Sequence, residues 1–159
     1  MNLFDLKDKT ALITGSTKGI GEAIARQFAK HGAKVVISSR KQDLCEQIKN
    51  DINTENPNSA ISVPCNINQK EQLENLVLET NKQLGDIDIL VCNAAVNPFF
   101  GSSLDIPDDA FDKILNANIK SNHWLCNLVL PQMIKKKRWR DNHYFLSRRI
   151  KGLRTSWRL

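Results

Sequence analysis

Residues 10–40 read TALITGSTKGIGEAIARQFAKHGAKVVISSR, and this stretch decides the fold. A short apolar run, Ala11–Ile13, leads into three glycines, which are Gly15, Gly19 and Gly21. An amphipathic helical pattern begins near Gly19 and stops at Gly32, and Lys34–Ile37 has the pattern of a second strand. Glycines here allow a tight turn, close approach of the backbone to a pyrophosphate and close packing of helix on strand. The stretch predicts a βαβ unit that binds a dinucleotide at the helix N-terminus, the alternative being a purely structural turn.

The alternation of strand and helix patterns continues along the chain. Helical patterns cover residues 43–52 and 69–84, and strand patterns cover 60–63 and 87–92. In the first of these helices we expect Leu44, Ile48 and Ile52 to form the inward face. Pro107 and two aspartates begin a long helical pattern that runs through Met133. The order predicts a three-layer α/β domain with a parallel sheet of about four strands.

Charge separates a domain from a tail. Residues 1–134 carry 13 Lys and Arg against 16 Asp and Glu, a net charge of −3, whereas residues 135–159 carry 10 against one, a net charge of +9. We therefore predict one domain over residues 1–137 and an irregular, basic tail over 138–159. A basic surface over the whole domain is excluded, so no nucleic-acid partner is expected there. The tail also contains Trp139, Tyr144 and Trp157, so an arm that binds nucleic acid is an alternative to a solvated, disordered tail.

Membrane, metal and secreted classes find no support in the sequence. No apolar run approaches the ~20 residues that cross a bilayer. The N-terminus lacks a basic region followed by an apolar core, as a signal peptide would have. The four cysteines are scattered without a C-x-x-C pair, and the three histidines are isolated. We expect a cytoplasmic protein with reduced thiols, no metal site and no membrane partner.

Several motifs in a fixed order resemble the short-chain dehydrogenases/reductases, over residues 5–137. The matching segments are Thr14–Gly21, Gly85–Val91, Asn93–Ala95, Ala117–Lys120 and Leu130–Met133. The run NAAVNPFFG at residues 93–101 is similar to the carbonyl-reductase members. The resemblance implies a Rossmann-type, doubly wound parallel sheet, which is incomplete here because the family's sheet continues beyond about four strands. It also implies an oxidoreductase that transfers hydride between a nicotinamide dinucleotide and a carbonyl or alcohol substrate.

The resemblance also implies which residues bind the cofactor. The pyrophosphate turn would be lined by Gly15, Thr17, Lys18, Gly19, Ile20 and Gly21. Asn66 and Ile67 would flank the adenine, with Asn66 standing where the family usually has Asp. Asn93 and Ala94 would close the fourth strand against the glycine turn, a role as much structural as cofactor-binding.

The residues after the second predicted strand bear on cofactor choice. Relatives that prefer NAD have an acid there, which binds the ribose hydroxyls. This chain has Ser39, Arg40 and Lys41, with Lys18 inside the glycine turn. An acid would repel a 2′-phosphate, whereas Arg40 can bind it through charge-assisted hydrogen bonds. NADP(H) is therefore favoured over NAD(H), unless Arg40 and Lys41 are only solvated residues capping the next helix.

The catalytic residues are represented incompletely. Asn118 matches the asparagine of the family's catalytic set, which kinks the long helix and holds a water in the proton relay. The family's catalytic Ser and its Tyr-x-x-x-Lys pair have no counterpart, because Arg148 follows the single tyrosine, Tyr144, at the lysine position. We therefore expect an NADP(H)-binding fragment without activity. The alternative is a non-catalytic interaction protein or decoy subunit that forms homo- or hetero-oligomers through the long helix 107–135.

The tail suggests an origin for this incompleteness. Codons exist for residues 138–146 that, read one nucleotide later, encode Asp-Gly-Gly-Ile-Ile-Ile-Ile-Ser-Ser, the turn, strand and serines that the family has at this point. We hypothesise a frameshifted or interrupted product of a longer reductase gene. Without a fifth strand, residues 87–92 would form an apolar sheet edge, and marginal solubility is the expected result.

Overall fold

The computed structural model describes residues 4–136, and a parallel sheet lies at the centre of this part of the chain. Its strands are β1 (Thr10–Thr14), β2 (Lys34–Ser38), β3 (Ala60–Ser62) and β4 (Ile89–Val91). They lie in the order β3-β2-β1-β4, and each neighbouring pair is parallel. The predicted Rossmann-type α/β fold is confirmed. The predicted basic tail, with Tyr144 and Arg148, lies outside the described residues.

In the described part of the chain, five α-helices connect the strands or follow them. They are α1 (Gly19–Lys30), α2 (Gln42–Glu55), α3 (Lys70–Leu84), α4 (Asp108–Leu115) and α5 (Ser121–Lys135). A π-helical turn, Asn116–Lys120, joins α4 to α5. The long helix expected over residues 107–135 is therefore interrupted, and Asn118 lies in the interruption.

Helices cover both faces of the sheet, so the strands are buried on both sides. Alternate residues of a strand point to opposite faces. On one face Leu12 and Val36 pack with buried residues of α3 and α5, among them Leu76 and Leu125. On the other face a second core contains Ala11, Ile13, Val35, Ile37, Ala25 of α1, and Ile48 and Ile52 of α2. This arrangement explains why the strand sequences are almost continuously apolar.

One inward residue of α2 was predicted wrongly. Leu44 is 38% exposed, whereas its neighbour Cys45 is fully buried together with Ile48 and Ile52. The apolar face of α2 therefore begins at Cys45, a small thiol that fits the close approach of the helix to the sheet. Leu44 lies instead at the edge of a cleft described below.

The fourth strand is shorter than the predicted 87–92 segment. Ile87 is fully buried in the core, but the backbone N–H of Asp88 is the first in this segment to reach β1, donating to Thr10 O at 2.9 Å. The Asp88 carboxylate accepts hydrogen bonds from Thr10 N at 3.0 Å and Lys136 Nζ at 3.2 Å. This carboxylate occupies the start of the ladder, so regular pairing begins at Ile89. Among the described residues, β4 pairs with β1 alone and forms one edge of the sheet.

The strand order locates the place where a ligand can bind. From β1 the chain proceeds through β2 to β3 on one side, whereas β4 lies on the other side of β1. The connections diverge at the carboxyl ends of β1 and β4, and such divergence opens a crevice in α/β sheets. In residues 4–136, no helix is long and apolar enough to cross a membrane.

Candidate functional site

A cleft of about 520 Å³ lies at the carboxyl ends of the strands. Leu44 of α2 and four segments line it: the β1–α1 turn (15–20), the end of β2 with the residues after it (38–41), the β3–α3 loop (65–68) and the segment after β4 (93–96). The predicted cofactor residues that line it are Gly15, Thr17, Lys18, Gly19, Ile20, Ser39, Arg40, Asn66, Ile67, Asn93 and Ala94. The fold therefore brings together residues that are up to 79 positions apart in sequence.

The glycine turn needs glycine for conformation at its first position. Gly15 has φ +66, a left-handed backbone that side chains disfavour. A Cβ at Gly15 would also lie 2.9 Å from Ala94 Cα. The turn therefore lies directly against the segment after β4, and the cleft floor is backbone.

Gly21 is the one predicted cofactor residue that does not line the cleft. It is buried beneath the turn, where a Cβ would lie 2.4 Å from Gly15 O and 2.5 Å from Asn93 Nδ2. Its lack of a side chain lets the first turn of α1 pack against the glycine turn. Its neighbour Ile20 is 75% exposed and borders the cleft, although helical spacing alone would place it on the apolar face.

Asn93 and Thr14 fasten the end of β4 to the glycine turn. The Asn93 Nδ2 group donates to Thr14 O at 3.0 Å and to Gly15 O at 3.1 Å. The Thr14 hydroxyl accepts from the backbone N–H groups of Asn93 and Ala94, each at 3.1 Å. Because Asn93 Nδ2 is committed to carbonyls, this side chain shapes the cleft floor.

The start of α1 gives the cleft an electropositive end. Lys18 precedes the helix in an extended conformation, and no side chain caps the first backbone N–H groups. Unpaired N–H groups and the positive end of a helix dipole together attract phosphate. Gly19 and Ile20, the first residues of the helix, line the cleft.

The charged side chains that line the cleft are all cationic. They are Lys18, Arg40 and Lys41, and all three are exposed. Among the residues that the structure describes, none of those lining the cleft is Asp or Glu. Burial raises the pKa of the Cys65 thiol to about 12, so this residue adds no negative charge near neutral pH. The cleft therefore suits a polyanion.

Sequence reasoning missed several lining residues. They are Ser38, Leu44, Cys65, Asn68 and Val96, whereas Lys41 and Ala95 were noted without being assigned to the site. Most of them directly adjoin a predicted residue at a strand end, and that adjacency was the available signal. Leu44 had no such signal, because its helical spacing indicated the core.

Asn118 lies outside this cleft, beside a second cavity of about 490 Å³. That cavity is lined by Ala95, Val96, Asn97, Ile114 and Asn118, and it shares Ala95 and Val96 with the first cleft. The Asn118 Oδ1 atom accepts from Val96 N at 2.8 Å, and its Nδ2 donates to Val96 O at 2.9 Å. The side chain thus pairs with one whole residue's backbone, as a neighbouring strand would. It holds the segment that forms the wall between the two cavities.

The described residues contain no group of three or more His, Cys, Asp or Glu able to hold a metal ion. Cys92 and Cys126 interact through their thiols, a contact that raises the pKa of Cys92 and lowers that of Cys126 to about 7. Cys126 is on α5, and neither thiol lines the first cleft.

Known proteins resemble this chain over nearly all of its described residues. Residues 9–140 match the family model for short chain dehydrogenases. The chain is 44% identical over 131 residues to dehydrogenase/reductase SDR family member 4 of Bos taurus, and 45% identical to the human protein of that name. It is 41% identical over 132 residues to human dehydrogenase/reductase SDR family member 2, mitochondrial. These alignments cover 82–83% of this chain but 47% of each relative, so the chain spans about half the length of the curated relatives it matches.

Solved structures give the same fold. A short-chain type dehydrogenase/reductase from Mycobacterium marinum superposes with a TM-score of 0.78 at 30% identity, covering 84% of this chain and 53% of that one. L-Sorbose reductase from Gluconobacter frateurii, solved with NADPH and L-sorbose, superposes with a TM-score of 0.79 at 26% identity. That superposition covers 84% of this chain and 50% of the reductase.

Proposed function

The chain belongs to the short-chain dehydrogenase/reductase family, and on that premise we propose that its cleft binds NADP(H) in preference to NAD(H). The family implies a nicotinamide dinucleotide as the cofactor. The cleft fits such a group, because its floor is the backbone of Gly15 over Gly21, where a Cβ at either position would collide with neighbouring atoms. The single observation that carries the preference is the cationic lining without an acid.

Each part of the cleft has a proposed partner on the cofactor. The turn 15–20 and the start of α1 would hold the pyrophosphate. Asn66 and Ile67 would flank the adenine, as the family resemblance implies. Arg40 would bind the 2′-phosphate through two N–H groups, with Lys18 and Lys41 adding charge. An NADPH-bound relative, the L-sorbose reductase, has the same fold over 84% of this chain.

A role for Asn118 follows from its position beside the shared wall of the two cavities. In the family this residue belongs to the catalytic set. Here its side chain binds both backbone polar groups of Val96, at 2.8 and 2.9 Å. We assign its side chain to positioning the wall of the cleft and its backbone to the proton relay. Nδ2 of Asn122 already donates to its carbonyl at 2.8 Å.

We propose binding without turnover for these 159 residues. When bound, the nicotinamide supplies or accepts a hydride, and a carbonyl or alcohol would be the substrate class. Proton transfer to a carbonyl needs a placed acid, for which the family uses the tyrosine of Tyr-x-x-x-Lys. No such pair occurs in this sequence. An NADPH-dependent reduction of a ketone by the purified 159-residue chain would contradict this part of the proposal.

A role as an interaction or decoy subunit is a second candidate. Phe111, Leu115 and Ile119 are exposed at intervals of four along α4 and the π-helical turn. Residues at this spacing share a helix face, so they form an apolar stripe on the segment for which oligomerisation was predicted. A cytoplasmic location and the frameshift hypothesis also stay predictions.

The cofactor preference is testable by calorimetric titration of the 159-residue chain with NADPH and NADH. Arg40→Ser should weaken NADPH binding roughly 10-fold or more, the loss expected for a charge-assisted pair, and leave NADH within about twofold. The matched control is Lys34→Ser, which removes a cation from the opposite end of β2. Equal affinity of the unaltered chain for the two cofactors would refute the preference.

A further inference from the structure

A buried hydroxyl joins the two phosphate-binding parts of the cleft. Ser16 is 0% exposed and lies within the glycine turn, between Gly15 and Thr17. Its Oγ donates to Ile13 O at 2.8 Å, and the backbone N–H of Ser38 donates to that Oγ at 2.8 Å. The backbone N–H of Ser16 donates to Ser38 O at 3.1 Å. Both backbone polar groups of Ser38 are therefore bound by this one residue.

These bonds lie at the last pair of the β1–β2 ladder. The β1–β2 register runs from Thr10 opposite Lys34 to Thr14 opposite Ser38. The Ser16 hydroxyl accepts from Ser38 N and donates to Ile13 O, so it bridges the backbone of β2 to that of β1 at this last pair. The same residue thereby ties the glycine turn to the end of β2.

The hydrogen bonds between Ser16 and Ser38 lie between two sets of residues that line the cleft. On one side of them are Gly15, Thr17 and Lys18, and on the other is Arg40, two residues after Ser38. Ser39 between them is itself fixed, because its carbonyl accepts from Cys65 N at 2.9 Å. Among residues 4–136, the only side-chain link from the glycine turn to the end of β2 is that of Ser16.

We propose that Ser16 is a positioning residue that sets the distance between the glycine turn and Arg40. This inference rests on the proposed function, since it concerns how NADP(H) is recognised. NADP(H) carries two separate anionic groups, the pyrophosphate and the 2′-phosphate. A cleft binds both at once only if its two cationic parts are held at a fixed spacing, and preorganised spacing increases affinity because less conformational freedom is lost on binding.

The proposal separates ligands by how many anionic groups they offer. NADPH engages both parts of the cleft. Adenosine 2′-monophosphate offers only the 2′-phosphate, and NADH offers only the pyrophosphate. Loosening the connection between Ser16 and Ser38 should therefore weaken the binding of NADPH selectively, whereas general damage to the domain would weaken the binding of all three ligands.

The test is Ser16→Ala in the 159-residue chain, titrated calorimetrically with NADPH and NADH and by displacement with adenosine 2′-monophosphate. We expect NADPH to bind roughly 5- to 20-fold more weakly, and the other two ligands to change by less than about twofold. The matched control is Thr80→Val. It removes another fully buried hydroxyl that donates to a backbone carbonyl, Leu76 O at 2.7 Å, but lies on α3 away from the cleft.

Each outcome decides the matter. An equal loss for all three ligands, or no loss for NADPH, overturns the positioning role while leaving NADP(H) binding intact. If the unaltered chain fails to bind NADPH, the proposed function fails and the inference fails with it. If Ser16→Ala does not fold, Ser16→Cys retains a weak acceptor of similar size. Ser16→Cys should then weaken NADPH binding by at least about threefold and leave the affinity for adenosine 2′-monophosphate unchanged. An unchanged NADPH affinity overturns the proposal.

Discussion

Replacing Gly21 by alanine should damage the cleft from below. An added Cβ would lie 2.4 Å from Gly15 O and 2.5 Å from Asn93 Nδ2, so the carbonyl must move by at least 0.6 Å to restore a 3.0 Å contact. Overpacking of this kind costs about 1–3 kcal/mol, and the helical preference of alanine over glycine offsets about 1 kcal/mol of it. The free energy of unfolding should fall by up to about 2 kcal/mol, which lowers the melting temperature by a few degrees.

The effect of Gly21→Ala on binding should exceed its effect on stability. Gly15 O and Asn93 Nδ2 belong to the floor against which the pyrophosphate would lie, so NADPH should bind at least about 10-fold more weakly by calorimetry. The control is Gly85→Ala, where φ is +82 but a Cβ would meet no atom within 4 Å. That variant loses stability through backbone strain alone and keeps its affinity. If both variants bind NADPH equally well, the argument that Gly21 supports the cleft is wrong.

Two further predictions concern the segments beside the cleft. Asn118→Ala should lower the free energy of unfolding by about 1–3 kcal/mol, because it leaves the backbone N–H and C=O of Val96 without their partner. The control is Asn127→Ala, at an exposed position of α5, which should change the free energy of unfolding by less than about 0.5 kcal/mol. Equal melting curves for the two variants would contradict this. A hydrogen bond from Cys92 lowers the pKa of Cys126 to about 7. The thiolate fraction of Cys126, and with it the rate of alkylation by iodoacetamide, should therefore rise as the pH increases through 7 and fall below it. A Cys126 alkylation rate that begins to rise only above about pH 8.5 would refute the hydrogen bond.

The sequence predicted the fold because its local patterns and its tertiary structure agree. Strands covered on both faces are continuously apolar. Glycine is required at Gly15, where φ is positive and a Cβ would meet Ala94, and at Gly21, which packs against Gly15. Residues that line the cleft at strand ends could also be predicted, since parallel strands bring their carboxyl ends to one edge. Their binding roles stay predictions.

The remaining features depend on contacts that local patterns do not contain. Leu44 and Cys45 are both apolar, and only the approach of α2 to the sheet decides which is buried. The late start of β4 at Ile89 follows from a side chain that pairs with distant backbone, that of Asp88 with Thr10. The family resemblance implied a kink of the long helix at Asn118, but the pairing of Asn118 with Val96 could not be read from the sequence. The hydrogen bonds between Ser16 and Ser38 likewise could not be predicted from the sequence, because a serine in a turn ordinarily forms hydrogen bonds within its own loop.

The central claim is that the cleft at the carboxyl ends of the strands is a dinucleotide site, and hydrogen–deuterium exchange with and without saturating NADPH tests it most directly. The account predicts slower exchange in peptides covering residues 15–20, 38–41, 65–68 and 93–96, the four segments that line the cleft. Peptides from the second halves of α2 and α3 serve as internal controls and should not change. Unchanged exchange in all four segments, or protection confined to other parts of the chain, would contradict the account.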